Sequence, residues 1–96
     1  MVAVFEKAKA GAVPRAAEKY EQPALRLLAA LCRELQRESG DRPFYLACRT
    51  AGRLLDVDHT TASRWLFLLT HDRLIGEAET DGPNRRRARR YRYLGD

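Results

Sequence analysis

Apolar residues recur at helical spacing in three segments of the chain. The first segment begins after Gln22, where Pro23 suits a first helical position, and it closes at Ser39 and Gly40. The second is the short stretch 48–55, and the third starts after Asp58. The pattern predicts helices over 22–39, over 48–55 and from His59 onward. The apolar positions of the first segment are Leu25, Leu28, Leu31, Cys32 and Leu35.

The third segment has one apolar face and one small polar face. Asp58 is the predicted N-cap, because its carboxylate can accept the backbone N–H of Thr61 and its charge suits the positive end of a helix. The apolar stripe comprises Ala62, Trp65, Leu66 and Leu69, which favours core packing over base stacking for the tryptophan. Phe67 lies off this stripe, so we expect it half-buried against the N-terminal segment or in a protein contact.

Strand patterns surround these helices. Phe44, Tyr45 and Leu46 are bulky residues in a piece too short for a helix, which predicts a short strand or extended segment. Leu74 and Ile75 begin a second strand that continues to about Glu79, and residues 81–84 have the composition of a hairpin tip. In the return strand, two tyrosines alternate with Arg90, Arg92 and Leu94, so the rings can face the core and the arginines a ligand.

Residues 1–21 are rich in alanine and are interrupted by Gly11 and Pro14. They are predicted to be a flexible leader or a linker from a larger parent protein, and residues 22–96 to be the folded domain. The apolar stretch at the start of the chain has no basic residues before it and ends already at Glu6 and Lys7, so no secretory signal is expected. A cytoplasmic location is therefore expected.

The composition points to a polyanionic partner. Of the 18 basic residues 15 are arginines, and the formal net charge is +5. Residues 1–84 hold 12 basic and 12 acidic groups, whereas the last twelve hold six arginines and one aspartate. Arginine binds phosphate, and also guanine edges, through a rigid fork of donors. Nucleic acid is therefore the leading partner class, with a solvated tail or attachment to an acidic protein as the alternatives.

The helix pair followed by an arginine-rich hairpin resembles the winged helix-turn-helix family of DNA-binding domains over residues 24–95. The most specific part is 58–75, with Thr61-Ala62-Ser63-Arg64 near its start, and 51–57 (AGRLLDV) resembles the supporting helix and turn. Asp56 stands where the family usually has glycine. The resemblance extends to bacterial regulators and to domains at the C-termini of phage and plasmid primase-like replication proteins. It implies an α+β, mainly helical fold: three helices with a small antiparallel β-hairpin wing.

The resemblance also implies a site on double-stranded DNA, as a transcriptional regulator or as the DNA-binding module of a larger replication protein. A recognition helix would enter the major groove and the wing would contact the backbone or minor groove. The predicted recognition residues are His59, Thr60, Thr61, Ser63 and Arg64. The predicted wing residues are Arg85, Arg86, Arg87, Arg89, Arg90 and Arg92, with Arg53 and Arg73 as further phosphate contacts.

Other function classes lack their sequence signals. There is no glycine-rich phosphate loop and no H-E-x-x-H motif, so we predict no catalysis and no cofactor. Cys32 and Cys48 lie outside any metal-ligand spacing, which predicts two small hydrophobic residues and no metal. No apolar run is long enough to span a membrane. A monomer or weak dimer is expected, and a protein-interaction module of the same fold without base readout remains the alternative function.

Overall fold

The computed structural model describes residues 2–78 and 90–95. Within these residues the fold is α+β and mostly helical, with four α-helices and a three-stranded antiparallel sheet. The helices are α1 (Val2–Ala10), α2 (Pro23–Ser39), α3 (Cys48–Leu55) and α4 (His59–His71), with a short 3₁₀ turn at Arg15–Ala17. The strands are β1 (Phe44–Tyr45), β2 (Ile75–Glu77) and β3 (Arg90–Tyr93). None of the described helices is both long and apolar enough to cross a membrane.

Helix α2 is the centre of the core. Its apolar residues at three- and four-residue spacing are buried, and α1, α3 and β3 pack against it. The other helices bury one stripe each, which in α4 consists of Ala62, Leu66 and Leu69. Trp65 is partly buried and packs against this core, as its place on the predicted stripe requires. Burial of these stripes fixes which face of α4 is left to solvent.

The expectation of three helices is corrected to four, because a helix forms within the segment predicted to be a flexible leader. Phe5 and Ala8 of α1 are buried in the core against α2. The Lys7 Nζ atom lies 3.2 Å from Glu38 Oε1 on α2, in an exposed ion pair. Gly11 and Pro14 interrupt the periodicity of the segment, but burial of the two α1 side chains supplies the apolar contact that orders it.

The sheet has the strand order β1-β3-β2, and both pairings are antiparallel. Phe44 pairs with Tyr91, and their rings lie 6.0 Å apart on the core face. Glu77 is the partner of Tyr91 on the other side of β3, and the Ala78 amide donates to the Arg90 carbonyl over 2.9 Å. Residues 78 and 90, which flank the segment 79–89 outside the described residues, therefore meet at one point of the sheet.

A tight turn of three residues joins α3 to α4. Asp56 adopts the left-handed conformation, with φ 56° and ψ 46°, which an aspartate tolerates better than most residues other than glycine. The Val57 amide donates to the Gly52 carbonyl over 2.9 Å. A Cβ atom on Gly52 would meet the Val57 carbonyl oxygen at 2.7 Å, so this close approach of the turn to α3 requires glycine.

The predicted hydrogen bond from the Thr61 amide to the Asp58 carboxylate is wrong. Asp58 does occupy the N-cap position of α4, with extended backbone, but its side chain makes no capping hydrogen bond. The Asp58 Oδ1 atom instead lies 3.4 Å from His59 Nδ1. The carboxylate therefore points at the adjacent imidazole, and the cap rests on the backbone, where the Asp58 carbonyl accepts from the Ala62 amide over 3.0 Å.

Candidate functional site

The outward face of α4 carries short polar side chains, one arginine and one aromatic ring. Thr60, Ser63, Arg64 and Phe67 follow one another at three- and four-residue spacing, and each is exposed. Thr61, at the flank of this face, is half-buried. The polar face of α4 therefore presents, within its first two turns, small groups that let a helix backbone approach a partner closely.

A basic concavity lies at the foot of this face. It is a pocket with a volume of about 400 Å³. Its lining comprises Arg49, Gly52 and Arg53 of α3, the turn residues Asp56 and Val57, and His59 of α4. Both arginines are exposed, and they lie one helical turn apart on α3. Arg53 and His59 therefore line the same pocket, whereas the sequence analysis predicted them as a phosphate contact and a recognition residue, respectively.

Sequence reasoning missed Arg49. It precedes Arg53 by four residues, the spacing that places two side chains on one face of a helix, and this spacing could have identified it. The carboxylates of Asp56 and Asp58 moderate the local positive charge, and Asp58 is already directed at His59. The two arginines are thus the cations of this pocket that extend into solvent.

A second pocket connects α4 to the sheet. It has a volume of about 280 Å³, and Ser63, Phe67 and Thr70 of α4 line it opposite Glu77 of β2 and Tyr91 of β3. Glu77 and Tyr91 are direct cross-strand partners, and they lie next to the hydrogen-bonded residues 78 and 90. The end of the sheet formed by these residues therefore borders the exposed face of α4.

The two described arginines of β3 are directed away from α4. The Arg90 guanidinium lies 5.1 Å from the centre of the Tyr45 ring, and Arg92 Nη1 donates to the Asp41 carbonyl over 2.7 Å. Both contacts are on the β1 side of β3, whereas α4 leads into β2 at the other edge of the sheet. The remaining predicted wing residues, Arg85, Arg86, Arg87 and Arg89, lie outside the described residues.

Arg73, a predicted phosphate contact, is exposed just beyond the end of α4 in the left-handed conformation, with φ 62°. Its amide donates to the Thr70 carbonyl, and the Leu74 amide to that of Leu69 over 2.9 Å. These bonds close the helix and turn the chain into β2. Arg73 therefore ends α4 in a backbone conformation that is unfavourable for an arginine.

No family model, curated protein or solved structure matches the chain. The functional argument therefore depends on the arrangement of its side chains.

Three titratable groups among the described residues have altered pKa values: Cys32, Asp72 and Tyr20, whose pKa is raised by burial and by its bond to Asp72. Burial raises the pKa of the Cys32 thiol to about 12, so this residue is an inert part of the core. A hydrogen bond from the Tyr20 hydroxyl, aided by His71 and Lys19, lowers the pKa of the Asp72 carboxyl below its usual value. Within residues 2–78 and 90–95 no group of three His, Cys, Asp or Glu side chains is arranged to hold a metal ion.

Proposed function

We propose that this chain binds double-stranded DNA as a winged helix-turn-helix domain, with α4 as the recognition helix. The observation that carries the proposal is the exposed polar face of α4, where Thr60, Ser63 and Arg64 extend into solvent beyond a tight turn. The major groove of B-form DNA admits one α-helix and presents a distinct set of donors and acceptors for each base pair. Short hydroxyl side chains let the helix enter, and Arg64 reaches a guanine edge or a phosphate.

Phosphate binding in this proposal begins at the pocket between α3 and α4. Arg49 and Arg53 flank the N-terminal end of α4, so a duplex that receives α4 in its groove brings a backbone strand toward them. His59 adds a ring N–H donor at the same point. The arginines of 85–89, which lie outside the described residues, are proposed to supply further phosphate contacts.

This activity suits a transcriptional regulator or the DNA-binding module of a replication protein. Neither role requires chemistry within the chain, because both need only a domain that places a partner or a further domain at a DNA site. The exposed polar face and the arginine-rich segment are common to the two roles.

A protein-interaction module without base readout is the second candidate. It is favoured by the intramolecular contacts of Arg90 with Tyr45 and of Arg92 with Asp41, because a guanidinium held in this way is less available to phosphate. In this alternative the positive charge of the chain attracts an acidic protein surface.

A salt series distinguishes the two candidates. Fluorescence anisotropy would follow binding of the chain to a labelled random-sequence duplex, a single strand and polyglutamate. The proposal predicts that the duplex binds most tightly, and that each neutralised phosphate adds about 0.9 to the log–log slope of affinity against salt. Equal binding of polyglutamate and duplex at every salt concentration would contradict it.

Charge-matched variants sharpen this experiment. Arg49→Ala and Arg53→Ala should each lower the slope by about 0.9, because each removes one phosphate contact. Arg37→Ala on α2 removes the same single charge, from a residue that is paired with Glu34 at 2.8 Å, and should leave the slope unchanged. An equal effect of all three variants would show that only net charge matters.

A further inference from the structure

We infer that Phe67 contacts the 5-methyl group of a thymine in the major groove and thereby gives the domain a preference for that base. The inference rests on the proposed binding of duplex DNA by α4. The Phe67 ring is 73% exposed, whereas the opposite face of α4 is buried in the core.

Phe67 lies in the middle of the exposed face of α4. Along the helix it follows Ser63 by four residues, Arg64 by three and Thr60 by seven, so all four side chains project from the same side. The other large apolar side chains that are exposed in residues 2–78 and 90–95 belong to α1, to β1 and to segments outside the helices. They are Val2, Val13, Tyr45 and Leu94.

The neighbours of Phe67 favour a nucleic acid over an apolar protein surface. A protein contact would be expected to gather apolar side chains into a patch, but Phe67 is flanked on its face by a hydroxyl and a guanidinium. The pocket beside its ring is lined by Glu77 and Thr70 and, on the core side, by Cys48 and the buried Leu66 and Tyr91. A single exposed ring on a polar helix face suits a partner that offers single apolar groups between donors and acceptors.

The major-groove edge of DNA is such a partner. Its apolar feature is the C5-methyl group of thymine, and the other edges present nitrogen and oxygen atoms that bind water. A phenyl ring placed against these polar atoms would remove their water without replacing its hydrogen bonds. Contact between the Phe67 ring and a thymine methyl group therefore stabilises the complex with DNA. Any other base at that position makes the complex less stable.

The test uses the whole chain and duplexes selected from a randomised pool. The dissociation constant of the wild-type chain is measured for the selected duplex and for copies in which one thymine at a time is replaced by deoxyuridine. Deoxyuridine lacks only the 5-methyl group. Loss of one methyl contact should weaken wild-type binding about fourfold at one or two positions, which corresponds to about 0.8 kcal/mol.

Phe67→Ala should bind the thymine and deoxyuridine duplexes equally at those positions. Val2→Ala, which truncates another exposed apolar residue, on α1, should keep the fourfold difference. Because Phe67 is exposed, the thermal midpoint of Phe67→Ala should match that of the wild type, and Phe67→Leu should retain part of the thymine preference.

Four results would overturn the inference. They are selected sites without thymine in the footprint of α4, wild-type binding that ignores deoxyuridine at every position, an unchanged thymine preference in Phe67→Ala, and self-association that depends on Phe67 in sedimentation velocity. In all four cases the chain still binds duplex DNA. Absence of any duplex binding is a separate outcome, which removes the proposed function and with it the inference.

Discussion

The hydroxyl of Tyr20 donates a 2.7 Å hydrogen bond to Oδ2 of Asp72. Tyr20 is buried in the segment between the 3₁₀ turn and α2, and Asp72 immediately follows α4. Lys19 Nζ lies 3.5 Å from the same carboxylate oxygen, and His71 Nδ1 lies 3.4 Å from Oδ1. The segment that precedes α2 is therefore tied to the end of the helix that we propose enters DNA.

Replacement of Tyr20 by phenylalanine tests this connection. The variant keeps the buried ring and removes the hydroxyl, so it should lower the free energy of unfolding by about 1 kcal/mol at pH 7. Urea denaturation measures this value. Tyr45→Phe provides the control, because Tyr45 is 51% exposed and should tolerate the change. Equal stability of Tyr20→Phe and the wild type would show that the hydrogen bond contributes nothing.

The same pair predicts a pH dependence of stability. The pKa of Asp72 is lowered in the folded chain, so its contribution is present above the ordinary carboxyl pKa and is lost as the pH falls below about 4. Burial and the bond to Asp72 raise the pKa of Tyr20, so its contribution is present below about pH 10 and falls as the pH rises further. Urea midpoints of Tyr20→Phe should depend less on pH at both ends. Parallel profiles for variant and wild type would contradict this assignment.

Gly52 fixes the distance between α3 and the turn. An alanine there would bring its Cβ to 2.7 Å from the Val57 carbonyl oxygen, so the turn must shift. Overpacking of this kind costs about 1 to 3 kcal/mol, which should exceed the higher helix propensity of alanine. Differential scanning calorimetry of Gly52→Ala and of Thr50→Ala, which lies in the same helix, measures the difference. A midpoint for Gly52→Ala at or above that of the wild type would show that the turn accepts a side chain.

Arg73 combines an unfavourable φ of 62° with a proposed phosphate contact. Arg73→Gly relieves the backbone and should stabilise the chain by about 0.5 to 1 kcal/mol, whereas Arg73→Ala keeps the strain and should not stabilise it. Both variants remove the same proposed phosphate contact, so both should lower the salt slope of DNA binding by about 0.9. An unchanged slope in both variants would show that Arg73 does not bind phosphate.

The arginines of residues 85–92, which we propose form a DNA-binding wing, are predicted to fall into two groups. Arg92 donates to the Asp41 carbonyl, so Arg92→Ala should lower the thermal midpoint and leave the salt slope nearly unchanged. Arg86→Ala should lower the slope by about 0.9. Calorimetry together with anisotropy titrations checks both expectations. A reduction of the slope by Arg92→Ala as large as that by Arg86→Ala would assign Arg92 to the DNA.

Much of the helical framework could be predicted from local pattern. The bounds of α2 and α3 and the start of α4 follow from apolar spacing and from Pro23. These features could be predicted because the residues that determine them are close to them in sequence. The extended segment at Phe44 was also indicated, but its pairing with Tyr91 joins residues far apart in sequence and leaves no local trace.

Other features depend on contacts between distant segments. Helix α1 becomes ordered because Phe5 and Ala8 find apolar partners on α2, which the interrupted pattern of residues 1–21 does not reveal. In the candidate site, the apolar periodicity of α4 correctly predicted that Thr60, Ser63 and Arg64 are exposed. It could not indicate that the Asp58 carboxylate would face His59, or that Arg90 would lie over the Tyr45 ring.

The central claim is that the exposed face of α4 and the adjoining α3 turn receive double-stranded DNA. Titration of the ¹⁵N-labelled chain with a duplex, followed by amide chemical-shift mapping, tests it most directly. The account predicts the largest shifts at residues 59–67 and at Arg49 and Arg53, with α1 and the exposed side of α2 unchanged. Shifts confined to α1 and α2, with α4 silent, would contradict it.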